Sequence, residues 1–532
     1  MGQSKVLVSD KLSDAGVAAL KAEPSLLVDY RPGLSHAELV DNIGQYDALV
    51  IRSASNVDAA VIEAGKSLKV IGRAGIGVDN VDVAAASRKG IVVMNTPTGN
   101  AVTTAEHALA LLCSLARKIP QAAATMREGK WEKNRYQGRE LAHKTLGIFG
   151  LGNIGRIVAD RARGLKMQVI AFDPVISPER ASSLGVELVS IDELLRRADF
   201  ITIHTPLTPD TQGLINDAAF EKMKKGVLLV NAARGGIVDE LALARAVEAG
   251  KVGGAALDVF EQEPIDPKHP LLKLENVICT PHLGASTAEA QERVAIEIAE
   301  QIVEYLRDGQ IRNAVNVPTY SAEVAEKIAP YLKLARKLGV LVGQLEPIEV
   351  SEVRVTCTGL PGELGTRPIA YAALAGYLER HVEHAVQPIQ APFEAESRGI
   401  ALIEVRDPSS PRGYAHSVSI EIRGQRGSHR ATGSVGVHGE ARLVALDGFA
   451  VETTLEGAIL MLRNQDRPGV IGAVGTLLGT KQINVSSLQV GLDAETRDAI
   501  ALWSVDSPVP AETLAELRKL DKIRSVRYVE LG

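Results

Sequence analysis

Two series of short β-branched runs, each run followed by a polar or helical stretch, predict an α/β chain built on two doubly wound parallel sheets. A strand-helix-strand-strand-helix-strand succession at the far end predicts a ferredoxin-like unit, set off by an α+β segment of mixed pattern. The first series is Val6–Val8, Ala48–Ile51, Lys69–Ile71 and Ile91–Val93. The second is Thr145–Phe149, Gln168–Phe172, Phe200–Ile203, Val227–Val230, Ala255–Asp258 and Val277–Cys279. Ala101–Lys118 carries long helical periodicity and is suited to bridge the two units, while Ser286–Arg307 follows the second series and is suited to return to the first.

Around Asn316-Val317-Pro318 the pattern breaks. Residues 320–450 mix helical stretches with alternating strands at Glu349–Thr356, Ile400–Val405 and Ser417–Ile422. Arg423–His438, rich in Gly, Ser, Arg and His, reads as exposed hairpins or loops. The last unit reads as strand Ala458–Arg463, turn Asp466-Arg-Pro-Gly469, helix to Thr480, strands Asn484–Val490 and Asp498–Val505, helix Ala511–Lys519 and strand Ile523–Glu530.

With 532 residues the chain exceeds one hydrophobic core, and 45% apolar with 23% charged residues is ordinary for a globular protein. A net charge of -6 supplies no general field for nucleic acid, so an anionic ligand must find a local basic pocket. Cys113, Cys279 and Cys357 show neither metal-ligand spacing nor a paired pattern; reduced thiols and no metal are expected. No apolar run approaches the roughly 20 residues of a membrane span, and the strand-like Val6–Val8 leaves no room for a signal peptide. The expectation is a soluble cytoplasmic protein without nucleic-acid or membrane partners.

Gly150-Leu-Gly152-Asn-Ile-Gly155 follows the apolar Leu146–Phe149 and opens a helical stretch from Asn153, the context a dinucleotide loop requires. Gly150 permits the tight turn, Gly152 lets the backbone approach a pyrophosphate, and Gly155 lets helix pack on strand. Asp173, 23 positions beyond Gly150, stands near the distance expected of the acid that binds the ribose hydroxyls of NAD and repels the phosphate of NADP. Farther on, Arg234 lies just past a buried strand, where a guanidinium fork suits a carboxylate. Glu263 and His282 each follow a strand and suggest a base with an acid to tune it. Their meeting is a matter of tertiary structure, and Glu261 competes for the acidic role.

Asn231–Glu240, Gly150–Arg156 and Thr280–Gly284 together resemble the D-isomer-specific 2-hydroxy acid dehydrogenase family over residues 1 to about 316. Gly72-Arg-Ala-Gly-Ile-Gly-Val-Asp-Asn-Val81 is similar to its phosphoglycerate dehydrogenase branch, with Ile76 where some relatives have Thr. The Asp466–Gly469 region resembles the ACT regulatory domain, and residues 320–450 look like the intervening domain of the long form.

The resemblance implies a Rossmann NAD domain (99–284) inserted in a flavodoxin-like substrate domain (1–98 and 285–316). It also implies an intervening domain (317–455) and an ACT domain (456–532). It implies Arg234 as carboxylate anchor, His282 as acid/base and Glu263 as its partner. Asn153, Ile154, Asp173, Thr205, Ala232, Ala233, Arg234, Asp258, His282, Leu283, Gly284 and Ala285 match positions lining the NAD site, and Arg52, Ser53, Arg73 and Asn100 match positions around the substrate. The implied activity is NAD-dependent oxidation of 3-phospho-D-glycerate to 3-phosphooxypyruvate, which opens serine biosynthesis. Asp466 and Asn484 match positions that hold an amino-acid effector, L-serine by implication, across a dimer of ACT domains, though Gln465 replaces the Tyr or His of some serine-inhibited relatives. Dimers or tetramers are implied, with Trp131–Arg139 as an arm toward a neighbour. Dehydrogenation of another D-2-hydroxy acid, and an NAD-gated corepressor-like binding protein, are the alternatives.

Overall fold

Ser4–Val8 (β1) is buried at its apolar positions and takes a parallel neighbour on each side, as a continuous Val-Leu-Val run should. With β2 (Leu26–Tyr30), β3 (Ala48–Ile51), β4 (Val70–Arg73) and β5 (Val92–Met94) it forms a sheet in the order β2-β1-β3-β4-β5. The computed structural model describes residues 3–317, 322–345, 348–382, 386–408, 414–425, 427–493 and 496–531. Pro318, at the predicted break, and Arg426, in the Gly/Ser/Arg/His stretch, lie outside them. Two packing units are distinguished: Met1–Asn56 with Val70–Val81 and Met94–Asn313, and Val57–Lys69 with Asp82–Val93 and Ala314–Gly532.

In the first unit, β6 (Thr145–Phe149), β7 (Gln168–Phe172), β8 (Glu187–Leu188), β9 (Phe200–Ile203), β10 (Val227–Asn231), β11 (Val252–Leu257) and β12 (Val277–Cys279) make a second sheet. Its order, β12-β11-β10-β9-β6-β7-β8, is the doubly wound order of dinucleotide-binding sheets, reversing between β6 and β9. One face buries Phe149, Ile203, Leu229 and Leu257; the other buries Ile148, Phe200, Val230 and Ala256 beneath the helix Ala101–Arg117. The helix Ala288–Asp308 returns to the first sheet and to the helix Asp14–Lys21 beside it: a methyl group on Gly72 of β4 would meet Ile298 at 2.9 Å, and one on Gly16 of that helix would meet Ala295 at 2.6 Å. These glycines are small because a helix crosses them.

In the second unit, β13 (Val350–Thr358), β14 (Ala401–Asp407), β15 (Ser417–Gly424), β16 (Gly427–Val435), β17 (Ala441–Leu446) and β18 (Phe449–Thr454) form a mixed sheet ordered β14-β13-β15-β16-β17-β18. The last four strands are β19 (Ala458–Gln465), β20 (Val485–Leu492), β21 (Asp498–Val505) and β22 (Ile523–Glu530), an antiparallel sheet ordered β20-β21-β19-β22. This is the ferredoxin-like arrangement. Ile459, Met461, Ile500 and Leu502 on one face join the core of the mixed sheet, while Leu460, Leu462 and Trp503 on the other pack on Val474, Leu478 and Leu517 of the unit's own helices.

The structure corrects the sequence reading at particular elements. Arg423–His438, expected as exposed hairpins or loops, takes the hairpin form: it contains β16, which pairs antiparallel with both β15 and β17 and so lies inside the sheet, not in a loop. Its polar composition misleads because backbone pairing holds it, and its inward positions are small: Ala431 is buried, and a methyl group on Gly433 would lie 2.7 Å from Leu334. The strands β2 and β8 were not anticipated; both are sheet edges, and β8 is two residues long.

Candidate functional site

The C-terminal ends of β3, β4, β6 and β9–β12 converge on two cavities, as open α/β sheets place their ligands. At the end of β6, Gly150 has φ of 89°, a conformation that costs a side chain but not a glycine, and a methyl group there would lie 2.7 Å from His204 O. A methyl group on Gly152 would meet nothing within 4 Å, so this backbone lies open to a ligand. On Gly155 it would lie 1.9 Å from Gly150 O, the close seat of the helix Asn153–Gly164. Asp173 Oδ2 accepts the Leu151 N–H at 2.7 Å, and Oδ1 accepts those of Val175 and Ile176. The carboxylate therefore braces the glycine loop, and the remaining lone pairs are those a ribose would use.

Beside this loop a cavity of about 290 Å³ is lined by Asn153, Ile154, Thr205, Ala232, Ala233, Arg234, Asp258, His282, Gly284 and Ala285, with Arg73, Asp79, Asn100 and His204 among others. Gly150, Gly152, Gly155, Asp173 and Leu283 stand outside its lining. Two buried atoms on its wall, Thr205 Oγ1 and His204 Nδ1, have no hydrogen-bond partner within the protein. Burial drives the His204 imidazole down to about 4, so it is neutral at ordinary pH. An open glycine backbone, a helix N-terminus and unpaired polar atoms on the wall fit a dinucleotide.

A larger cavity of about 570 Å³ is lined by Arg52, Ser53, Arg73, Asn100, Glu263, His282 and Gln291, with Pro264 and Ile265 forming an apolar side. Arg73, Asn100, His282 and Ala285 belong to both cavities. His282 thus stands where they meet.

The turn after β3 is rigid because Asp10 Oδ2 accepts the backbone N–H groups of Arg52, Ala54 and Ser55, its Oδ1 accepts the Ser55 hydroxyl, and Asn80 bonds the carbonyls of Arg52 and Ser55. Arg52 donates to Lys11 O at 3.2 Å, and among the described residues no carboxylate lies within ion-pair distance of it. Arg73 is lowered to about 10 by burial and then by the neighbouring charge of Arg234, so it stays cationic near neutrality; its Nε is buried without a partner. Asn100 Oδ1 is likewise unpartnered. Such atoms are costly unless a ligand completes them.

Arg234, after β10, donates from Nε to Asp79 at 2.9 Å and from Nη1 to Ala233 O at 2.7 Å. It lines the smaller cavity and not the larger. A methyl group on Gly77 would fall 1.8 Å from Arg234 Nη2, so the glycine makes room for the guanidinium.

His282 follows β12 with φ of 53°. Asp258, fully buried after β11, imposes that turn: its carbonyl accepts the His282 N–H, Oδ1 accepts those of Leu283 and the Thr280 hydroxyl, and Oδ2 accepts that of Gly284. His107 Nε2 lies 3.1 Å from Asp258 Oδ1. Burial works to raise this carboxyl, but the bonds from His107, Thr280 and Leu283 outweigh it and hold the group below the usual carboxylate range.

Glu263 Oε2 is 2.7 Å from His282 Nδ1, and Glu263 Oε1 accepts the Phe260 N–H at 3.0 Å. Burial raises Glu263, yet the bonds from His282 and Phe260 leave it lowered. The Glu263 bond raises His282 above its ordinary value against the opposing pull of desolvation. Glu261 is exposed, and its N–H is bonded to Glu240. Between the two acids, geometry puts Glu263 on the imidazole.

Asp466 borders a small cavity of about 40 Å³ with Asn464, Arg467 and Trp503, whereas Asn484 is outside that lining and donates to Asp506 at 3.0 Å. Within one chain the two expected effector residues do not share a cavity.

Nothing in the sequence points to Asp10, His107 or Gln291, and Asp79 and Asn80 stand in the Gly72–Val81 run with no partner evident. Asp10, Asn80, Asp79 and His107 act through contacts made only in three dimensions, and Gln291 is brought to the larger cavity by the fold. The one available signal was the acid-amide pair Asp79-Asn80, one residue beyond Gly75-Ile-Gly77.

Residues 109–284 match the NAD-binding domain of D-isomer specific 2-hydroxyacid dehydrogenases, residues 327–447 the D-3-phosphoglycerate dehydrogenase intervening domain, and residues 458–522 the ACT domain. A D-3-phosphoglycerate dehydrogenase of Synechocystis sp. is 45% identical over 529 residues, 99% of this chain and 95% of the relative. One of Archaeoglobus fulgidus is 43% identical over 99% of this chain and 100% of the relative. The chain belongs to the D-3-phosphoglycerate dehydrogenase family. It is accordingly an NAD-dependent dehydrogenase. Among solved structures, a glyoxylate reductase from Paecilomyes thermophila covers 59% of this chain and 99% of its own at 32% identity with a TM-score of 0.56. The apo-structure of D-lactate dehydrogenase from Escherichia coli covers 58% and 99% at 29% identity with a TM-score of 0.52. The family's ACT domain is consistent with regulation, and among the described residues no helix is long and apolar enough to cross a membrane.

Proposed function

We propose that the chain oxidises 3-phospho-D-glycerate to 3-phosphooxypyruvate, the first committed step of L-serine biosynthesis, with the two cavities holding coenzyme and substrate and His282 acting between them. The observation that carries this reading is the 2.7 Å Glu263–His282 bond at the place where the cavities meet, beside the guanidinium groups of Arg52 and Arg73. NAD, when bound, supplies the hydride acceptor.

His282 donates Nδ1–H to Glu263, which leaves Nε2 to take the C2 hydroxyl proton. Glu263 stabilises the imidazolium so formed. Arg234, steadied by Asp79, holds the substrate carboxylate; Arg52, Ser53, Arg73 and Asn100 receive the phosphate end. Gly150–Gly155, Asp173, Thr205, Ala232–Arg234, Asp258 and His282–Ala285 form the coenzyme's surroundings. The domain assignment that accompanies this reading is 1–98 with 285–316 for substrate, 99–284 for NAD, 317–455 intervening and 456–532 ACT. The protein is cytoplasmic and forms dimers or tetramers, with L-serine as an effector bound near Asp466 and Asn484 between paired ACT domains; the 81% exposed Trp131 on the Trp131–Arg139 arm is ready for a neighbour.

The test is NADH absorbance with 3-phosphoglycerate, repeated with D-glycerate and with millimolar L-serine. A charge-assisted hydrogen bond contributes roughly 1.5–3 kcal/mol, so Arg52→Ala should lower kcat/KM for the phosphorylated substrate by about 10- to 100-fold and leave D-glycerate nearly unaffected. Equal wild-type rates on the two substrates would point to a different D-2-hydroxy acid.

The raised His282 value sets the pH dependence. Oxidation needs the neutral imidazole, so the rate falls as pH drops through that raised value. Glu263→Gln removes the charge that raises it, and the acid limb of kcat should move to lower pH while kcat itself falls. A limb that stays in place would remove Glu263 from this role.

A further inference from the structure

The loop that presents Glu263 is stapled at both ends by a buried carboxylate that faces neither cavity. Glu240 opens the helix Glu240–Glu248 and is 6% exposed. Its Oε1 accepts the Glu261 N–H at 2.6 Å, two residues before Glu263. Its Oε2 lies 3.3 Å from His269 Nε2, six residues after Glu263. His269 Nδ1 accepts the Leu271 N–H at 3.4 Å, so the ring proton sits on Nε2 and points at Glu240. The start of the loop has little room to shift toward Gly235, where a methyl group would lie 1.8 Å from Phe260 O.

From these contacts we infer that Glu240 and His269 are positioning residues for the Glu263–His282 pair. The inference rests on the reading of His282 as the acid/base. The groups facing Glu240 are His269, Glu261, Glu263 and the Cys279 thiol, and burial raises its carboxyl; those facing His282 are Glu263, Asp258 and Arg234. Neither Glu240 nor His269 lines either of the two cavities, so both act through the loop backbone. Without Glu240, the Glu261 N–H and the His269 ring proton lose their acceptor, the loop loses both of its ties to the helix Glu240–Glu248, and Glu263 drifts from the imidazole.

The experiment is the pH profile of kcat for 3-phosphoglycerate oxidation, with KM, in the full-length wild type, Glu240→Ala, Glu240→Gln and His269→Ala. A displacement near 1 Å costs up to about 100-fold, so Glu240→Ala should lose between about 10- and 100-fold in kcat with little change in KM. Its acid limb should move to lower pH, as Glu263→Gln does. Glu240→Gln keeps an oxygen for the Glu261 N–H and should restore most of the rate and the wild-type limb. His269→Ala removes only the second contact and carries the test if Glu240→Ala does not fold. An unmoved acid limb in Glu240→Ala, or in His269→Ala where it substitutes, overturns the inference, even if the melting temperature falls. A wild type that oxidises no 3-phosphoglycerate sinks the proposed function instead, whereas an active wild type with an inactive His282→Ala and an unmoved Glu240→Ala limb sinks this inference alone.

Discussion

His282→Ala is expected to lower kcat by about 10²- to 10⁴-fold while NAD still binds, the range general acid-base groups supply. The two effects separate because different parts of the protein carry them. The imidazole is 51% exposed on the cavity side and bonded through Nδ1 to Glu263, so its removal takes away the proton acceptor. The turn that bears it is held from elsewhere, since Asp258 binds the backbone of residues 282, 283 and 284. The glycine loop and Asp173 are independent of position 282. Equilibrium titration of coenzyme fluorescence checks binding, and single-turnover absorbance checks chemistry. An unchanged kcat would remove His282 from the mechanism; a parallel loss of NAD affinity would mean that the ring shapes the coenzyme pocket and does no proton transfer.

The legible parts of this molecule were the local ones. Gly150, Gly152 and Gly155 serve turns and contacts a few residues away, so their spacing after an apolar run announces the loop. The strands Ala48–Ile51, Thr145–Phe149 and Phe200–Ile203 are recovered at both ends because each is buried on both faces and rich in large apolar and β-branched residues. Edge strands such as Leu26–Tyr30 lack that pattern, and Gly427–Val435 hides behind glycine and polar side chains because its register is written in backbone bonds.

At the site the same division holds. Glu261 and Glu263 are equivalent in sequence; the Phe260 N–H and the course of the loop separate them. Asp258 reads as one more residue beside the coenzyme, yet both its oxygens are engaged in holding the His282 turn. Asp79 is 155 positions from Arg234, and no periodicity connects them.

Arg234→Ala should lower kcat/KM for 3-phosphoglycerate by about 30- to 4,000-fold, the equivalent of the roughly 2–5 kcal/mol that truncating one partner of an enclosed hydrogen-bonded charge pair costs. The guanidinium has two of its nitrogens engaged, Nε by Asp79 and Nη1 by Ala233 O, which fixes the plane of the fork before any ligand arrives. A carboxylate docking on the remaining hydrogens meets a donor that has already lost its rotational freedom. Arg234→Lys keeps the charge but cannot bond Asp79 and a carboxylate in one plane, so it should recover only a small part of the loss. Asp79 is 68% exposed, and an exposed pair contributes little, so Asp79→Asn should cost less than about tenfold. Steady-state kcat/KM across the three variants orders them as Arg234→Ala, then Arg234→Lys, then Asp79→Asn in severity. Should Arg234→Lys match the wild type, the carboxylate is held by charge alone and the planar fork is irrelevant. Should Arg234→Ala stay within about threefold, the substrate carboxylate is bound elsewhere, and Arg73, which lines both cavities with an unpartnered Nε, becomes its holder.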